Sequence, residues 1–243
     1  MDNIPYHMIN NLRPNTGNGW RLKVRLTRMW NQMTRNAQRV AINLIFVDAL
    51  GGRIHATIPA PYIGQLENYF TEGETYDVNN FIVRRYADMQ HGRCFKNDIY
   101  IQLNNLTEVM VTGGVDYIQQ HVFDFTDLDA LYTAAQEQKY LIDVVGILEQ
   151  AGPLTHFRNR LGQEEHTSAR AVFYNEMAEE FHQAIQQANQ HPIVVIISSC
   201  KPQMFSQEPN VTNFQATRFF INPNHEAVDD LRNALSVANW QNH

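Results

Sequence analysis

Cysteine is nearly absent: Cys94 and Cys200 are the only two in 243 residues, and they stand far apart. No CxxC pair exists, so a zinc ribbon or a zinc-stapled barrel is not expected, and an unpaired cysteine set suits a reducing compartment. Long apolar runs are missing too, because charge interrupts every strand-like stretch before it could cross a bilayer. Residues 1–10 lack the basic start and apolar run of a secretory signal, so a soluble protein of the cytosol or nucleus is expected. Ten histidines make no HExxH, and neither GxxxxGK[ST] nor GxSxG occurs. The acidic pairs Asp127/Asp129 and Glu164/Glu165 read as solvated loop and helix-start residues. No catalytic residue, metal or cofactor is therefore expected, and the chain is read as a non-enzyme.

Positive charge is also scarce, with 19 Lys+Arg against 25 Asp+Glu and a net charge of −6. The deficit is uneven. Residues 1–110 carry twelve basic and nine acidic side chains, a net of +3, while the remainder carries seven and sixteen, a net of −9. Such an asymmetry points to different partners for the two halves and says nothing about fold. A length of 243 residues accommodates two domains, each able to bury a core.

Strand patterning opens at WRLKVRLTRMW, where Trp20, Leu22, Val24 and Leu26 alternate with Arg21, Lys23 and Arg25. After a polar turn, Ile42, Leu44 and Phe46 repeat the alternation, and Gly51-Gly52 turns the chain into RIHATIPA. Pro61 then starts a short helical pattern, with Ile63, Leu66 and Phe70 at helical spacing and Gly73 as a stop signal. Two further strand patterns follow, TYDVNNFIVRRY and DIYIQLNNL. The order β-β-β-α-β-β is that of an OB-fold.

WRLKVRLTRMW, LIFVDALGGRIHATIP, the helix ending in YFTEGETYDV and the closing IYIQLNNLTEV together resemble the OB domains of the plant-type replication protein A large-subunit family. In the second half LIDVVGILEQAGPL, NEMAEEFHQAI, HPIVVIISSCKPQ and NFQATRFFINPN resemble a second OB domain of that family, joined by FDFTDLDALYTAAQ. The fold expected is all-β with short helices, two tandem OB-fold β-barrels: a first domain over 1–112, a helical connector over 113–138 and a second domain over 139–243 with a C-terminal helix. From the end of the opening strand to the helix there are 32 residues in the first domain, Met29 to Pro61, but only 21 in the second, Leu154 to Asn175. Roughly one strand and a turn are unaccounted for, so the second barrel is either shortened, with an open edge to cover, or complete.

The resemblance implies binding of single-stranded nucleic acid, DNA favoured over RNA, with little sequence specificity, in replication, repair or recombination in the nucleus. OB grooves hold single strands on a basic track with aromatic faces for the bases. The candidates on the first domain are Arg21, Lys23, Arg25, Arg28 and Trp30 on the first strand, Arg53 and His55 on the third, and Arg84, Arg85, Tyr86, Arg93, Phe95, Lys96 and Tyr100 around the last loop. Ile42 and Val78 align with strand positions where the family usually has stacking aromatics. In the second domain Lys201, Phe205, Phe214 and Arg218 occupy the corresponding hairpin. The alternative is a degenerate OB module that binds proteins instead. Its second domain would hold a protein partner or a second copy; no membrane is expected as a partner.

Overall fold

The computed structural model describes residues 5–14, 19–88, 90, 92–113, 116–152, 155–159 and 167–237; Glu164 and Glu165 lie outside them. The chain divides into two compact units, Met1–Val122 and Phe123–His243.

In the first unit the strands are β1 (Arg21–Met33), β2 (Arg39–Val47), β3 (Arg53–Pro59), β4 (Thr75–Asn79), β5 (Ile82–Arg85), β6 (Ile99–Gln102) and β7 (Glu108–Val111), with a one-turn helix α1 (Ile63–Leu66) between β3 and β4. The sheet order is β5-β6-β3-β2-β1-β4-β7. All pairings are antiparallel except β3 with β6. The fourth OB strand is split, β4 pairing with β1 and β5 with β6. The split falls at Asn80, whose φ of +57° an asparagine tolerates better than most residues. The Asn80 carbonyl accepts the Thr107 hydroxyl at 3.2 Å. Inside, Leu22, Leu44, Phe46, Ile54, Ile58 and Ile101 are buried, and Ile63 and Leu66 of α1 join the same core.

A β-bulge interrupts β1 between Leu26 and Arg28. One extra residue reverses the alternation of side chains. Before it Leu22, Val24 and Leu26 face the core and Arg21, Lys23 and Arg25 face out. Beyond it the even-numbered positions turn outward, Trp30 opposite Asn43 and Gln32 opposite Ala41.

The second unit has β8 (Ile142–Gln150), β9 (Thr155–Asn159), β10 (Thr167–Val172), β11 (Val194–Phe205), β12 (Glu208–Thr212) and β13 (Arg218–Ile221), with α2 (Leu131–Glu137) before them, α3 (Glu176–Gln186) after β10 and α4 (Glu226–Val237) at the end. The order β12-β10-β9-β8-β11-β13, with β11 also pairing β12, closes the barrel. Thus the short interval leaves out no strand, and the expectation of a shortened barrel is corrected. Strands of five and six residues, β9 and β10, occupy the place of nine and seven in β2 and β3.

Both units share the kink. Ser199, at φ +52°, matches Asn80, and its carbonyl accepts the Thr217 hydroxyl at 2.8 Å. The backbone N–H groups of Asn104 and Phe214 donate to those two threonine hydroxyls. The duplication is therefore visible in hydrogen bonds where it is faint in residue identity.

The apolar runs of β8 and β11 have a different cause from the alternation of β1. Val144, Val195 and Ile197 point into the barrel, while Val145, Ile147, Val194 and Ile196 point out and are covered by Val228 and Leu231 of α4. A sheet covered on both faces loses the hydrophobic/polar alternation.

Candidate nucleic-acid interface

The outward positions of β1 beyond the bulge, β2, β3, β5 and β6 share one face of the first barrel. Trp30 and His55 have ring centroids 5.9 Å apart and planes 15° apart. His55 and Tyr86 are 6.0 Å apart and parallel within 7°, and Tyr100 lies 5.9 Å from His55 and 4.9 Å from Tyr86. A hydrogen bond of 2.7 Å joins His55 Nδ1 to the Tyr86 hydroxyl. Because the Nδ1 lone pair lies in the ring plane, two parallel rings joined by it lie side by side. His55 Nε2 meets Asn43 Oδ1 at 3.0 Å, and Asn43 Nδ2 donates to Gln32 Oε1 at 3.3 Å.

This chain fixes the histidine tautomer. The Asn43 carbonyl oxygen accepts, so Nε2 carries the proton and Nδ1 receives the Tyr86 hydroxyl hydrogen. Burial pushes the His55 pKa down to about 4 and raises that of the Tyr86 phenol. Both rings are thus neutral at pH 7, held in one plane by the hydrogen bond between them and by Asn43 on β2.

The remaining expected residues divide. Arg84 lies on the platform face, opposite Tyr100, and donates from Nε to Gln102 Oε1 at 3.1 Å. Arg85 and Lys96 are exposed. The Arg53 guanidinium sits 4.5 Å from the Phe95 ring centroid, and its Nη1 donates to the Val122 carbonyl. Trp30, Arg53, His55, Arg84, Tyr86, Phe95 and Tyr100 are therefore brought together around one surface.

Five expected cations have other partners. Arg21 forms an ion pair with buried Asp77, and both Arg21 and Lys23 lie under the Tyr6 ring, at 4.5 and 4.9 Å from its centroid. Arg25 donates to the carbonyls of Gly73 at 2.6 Å and Ile118 at 3.0 Å. Arg28 pairs with Glu72 at 3.0 Å. The basic ladder, ahead of the bulge and beside β4, is a fastening for residues 6 and 118 and leaves the platform to others. Arg93 is only 3% exposed; it donates to Asp98 and to the carbonyls of Ala87 and Gln90, so it braces the loop from inside. Ile42 and Val78 point into the core, one residue out of phase with the platform.

Asn43 was not anticipated. Its signal is a lone amide at an outward position of an otherwise apolar strand, VAINLIFVD. Gln32 and Gln102 were likewise missed.

From these contacts, Arg25→Ala is expected to lower the unfolding free energy of the first barrel by about 1–3 kcal/mol, since two carbonyls lose a charged donor. Denaturant unfolding measures it, and binding at the platform should stay within twofold.

In the second unit the corresponding loop is missing. β11 and β12 are joined by Ser206 and Gln207 alone, both at positive φ, where the first barrel has residues 86–98. Phe205 is 60% exposed and Phe214 41%.

The model of the family described as domain of unknown function DUF223 matches residues 10–134. The chain belongs to the DUF223 family. That span holds the whole first barrel and its platform. This DUF223 chain is 25% identical to one replication protein A 70 kDa DNA-binding subunit of Arabidopsis thaliana, over 93% of its length and 39% of the relative's. It is 24% identical to another 70 kDa subunit of the same plant, over 93% and 38%. It thus spans about two fifths of the length of these relatives. A replication protein A heterotrimer bound to ssDNA has the same fold, with a TM-score of 0.57 and 19% identity over 97% of this chain and 56% of that one. The chain is thus similar to replication protein A large subunits, and it folds as two tandem OB-folds.

Proposed function

We propose that this chain binds single-stranded DNA on the outer face of its first barrel, without chemistry, and so shields or presents strands in replication, repair or recombination in the nucleus. The aromatic platform of Trp30, His55, Tyr86 and Tyr100 carries the proposal. Three part-exposed rings, Trp30, His55 and Tyr100, give bases a surface to stack on, worth about 1–3 kcal/mol per base, while Tyr86, buried at 7% exposure, braces His55. Arg84, opposite Tyr100 on that face, and the exposed Arg85 and Lys96 are assigned as phosphate partners. The relatives' name as DNA-binding subunits supports the reading. The second barrel, with its two-residue turn and a half-chain net charge of −9, is assigned to a protein partner.

Fluorescence anisotropy of a labelled 20-mer tests this at 50 and 200 mM salt. Three phosphate contacts give a slope of about −2 in log K against log salt, a loss of about twentyfold. An absence of binding at about 100 μM protein would sink the proposal and leave a protein-binding module in its place.

A further inference from the structure

Two short sequences place the same pair of groups on the platform face. Trp30 is followed two residues later by Gln32 on β1, and Tyr100 by Gln102 on β6. Positions i and i+2 share one face of a strand about 6.6 Å apart, the distance from the centre of a stacked base to a group at its edge. Each ring therefore has an amide beside it.

The hydrogen bonds fix which end of each amide faces outward. An arginine can only donate, so the Arg84 Nε contact identifies the Gln102 oxygen as the acceptor and leaves its NH2 unused among the described residues. At the other site polarity is set from a distance. The Tyr86 hydroxyl hydrogen has one acceptor among the described residues, His55 Nδ1. His55 Nε2–H then donates to Asn43 Oδ1, and Asn43 Nδ2 donates to Gln32 Oε1. Gln32 is again left with its NH2 outward, and it is exposed at the end of β1. Both glutamines offer unused donors, and each oxygen already accepts one hydrogen bond.

We infer that Gln32 and Gln102 read the edge of the base stacked beside them and favour keto bases over amino bases. This rests on the proposed function and deepens it. A keto oxygen at C4 of a pyrimidine accepts from either amide's unused NH2, whereas a cytosine amino group meets that NH2 as donor against donor and must compete for an oxygen that already accepts one hydrogen bond. Stacking is open to either kind of base, so the preference is modest and overlies an otherwise tolerant surface.

Oligo(dU) and oligo(dC) 20-mers are a matched pair, differing at C4 and N3 and lacking the thymine methyl group. One amide–keto hydrogen bond corresponds to about a fivefold difference in Kd. The full chain is expected to bind (dU)20 at least about fivefold more tightly than (dC)20 in anisotropy titrations. Gln32→Ala/Gln102→Ala should bring the ratio to about one. Gln32→Glu/Gln102→Glu, with acceptors only, should weaken both and invert the ratio. Because the ratio is read within one protein, altered folding or charge cancels. A ratio of one in the unaltered chain, or a ratio indifferent to both double variants, overturns the inference and leaves single-strand binding standing. Failure to bind either oligonucleotide removes the parent proposal with it.

Discussion

Replacing Trp30 and Tyr100 together by alanine is expected to weaken single-strand binding by about a thousandfold, from about 2 kcal/mol for each stacked base. The two rings sit at opposite margins of the platform, on β1 and β6, with His55 5.9 Å from each. No other ring can take over the place of either without moving. His55 and Tyr86 are fastened to each other and to Asn43, so the platform cannot slide to compensate. The triple variant Arg21→Ala/Lys23→Ala/Arg25→Ala is the natural counterpart. It removes more positive charge, yet its cations serve Asp77, Tyr6 and the carbonyls of Gly73 and Ile118. Anisotropy should show little change in affinity for the triple variant, and denaturant titration should show a large loss of stability. If the order is reversed, with the cation variant losing binding and the ring variant keeping it, the platform is not the interface.

A second large effect concerns acid. The His55 pKa falls from 6.5 to about 4 because burial disfavours the imidazolium. Between those values the unfolded chain holds a proton that the folded barrel excludes. Stability contributed by this site is therefore fully present above pH 6.5 and is lost as pH falls toward 4, by about 3 kcal/mol in all. The loss comes from burial alone, since an imidazolium can keep its bond to Asn43 and the Tyr86 hydroxyl can turn to accept. NMR titration of the histidine Cε1 protons should show one ring that stays neutral until about pH 4. Urea unfolding of His55→Gln, compared with the unaltered chain at pH 7.5 and 4.5, should show a shallower dependence on pH. A His55 resonance titrating near 6.5 would contradict the buried, neutral ring.

Most of the first barrel was legible, because strands with one wet face write their alternation into the sequence. Leu22, Val24 and Leu26, then Ile42, Leu44 and Phe46, point inward as the alternation predicts. The second barrel was harder to read for two physical reasons. β8 and β11 are covered on both faces, so their residues do not alternate. β9, with the sequence THFRN, has a single strongly apolar residue to announce a strand, which is why the pattern leaves one strand unannounced. In the site, the aromatic candidates Trp30, Tyr86 and Tyr100 converge with His55. The cationic ladder was misplaced, because charge on an outward strand face does not reveal which other segment of chain lies over it. Asn43, Gln32 and Gln102 were invisible as a set, since their roles follow from the direction of hydrogen bonds between strands.

The bulge between Leu26 and Arg28 makes β1 behave like a text whose reading frame changes midway. Upstream, the outward letters spell a fastening; downstream, they spell the proposed binding surface. Were Thr27 drawn into regular pairing instead of bulging out, strict alternation would drive Trp30 and Gln32 toward the core and Met29 toward water. The proposed interface thus depends on how one residue is accommodated: bulged out, Thr27 lets Leu26 and Met29 both face the core and Trp30 face outward.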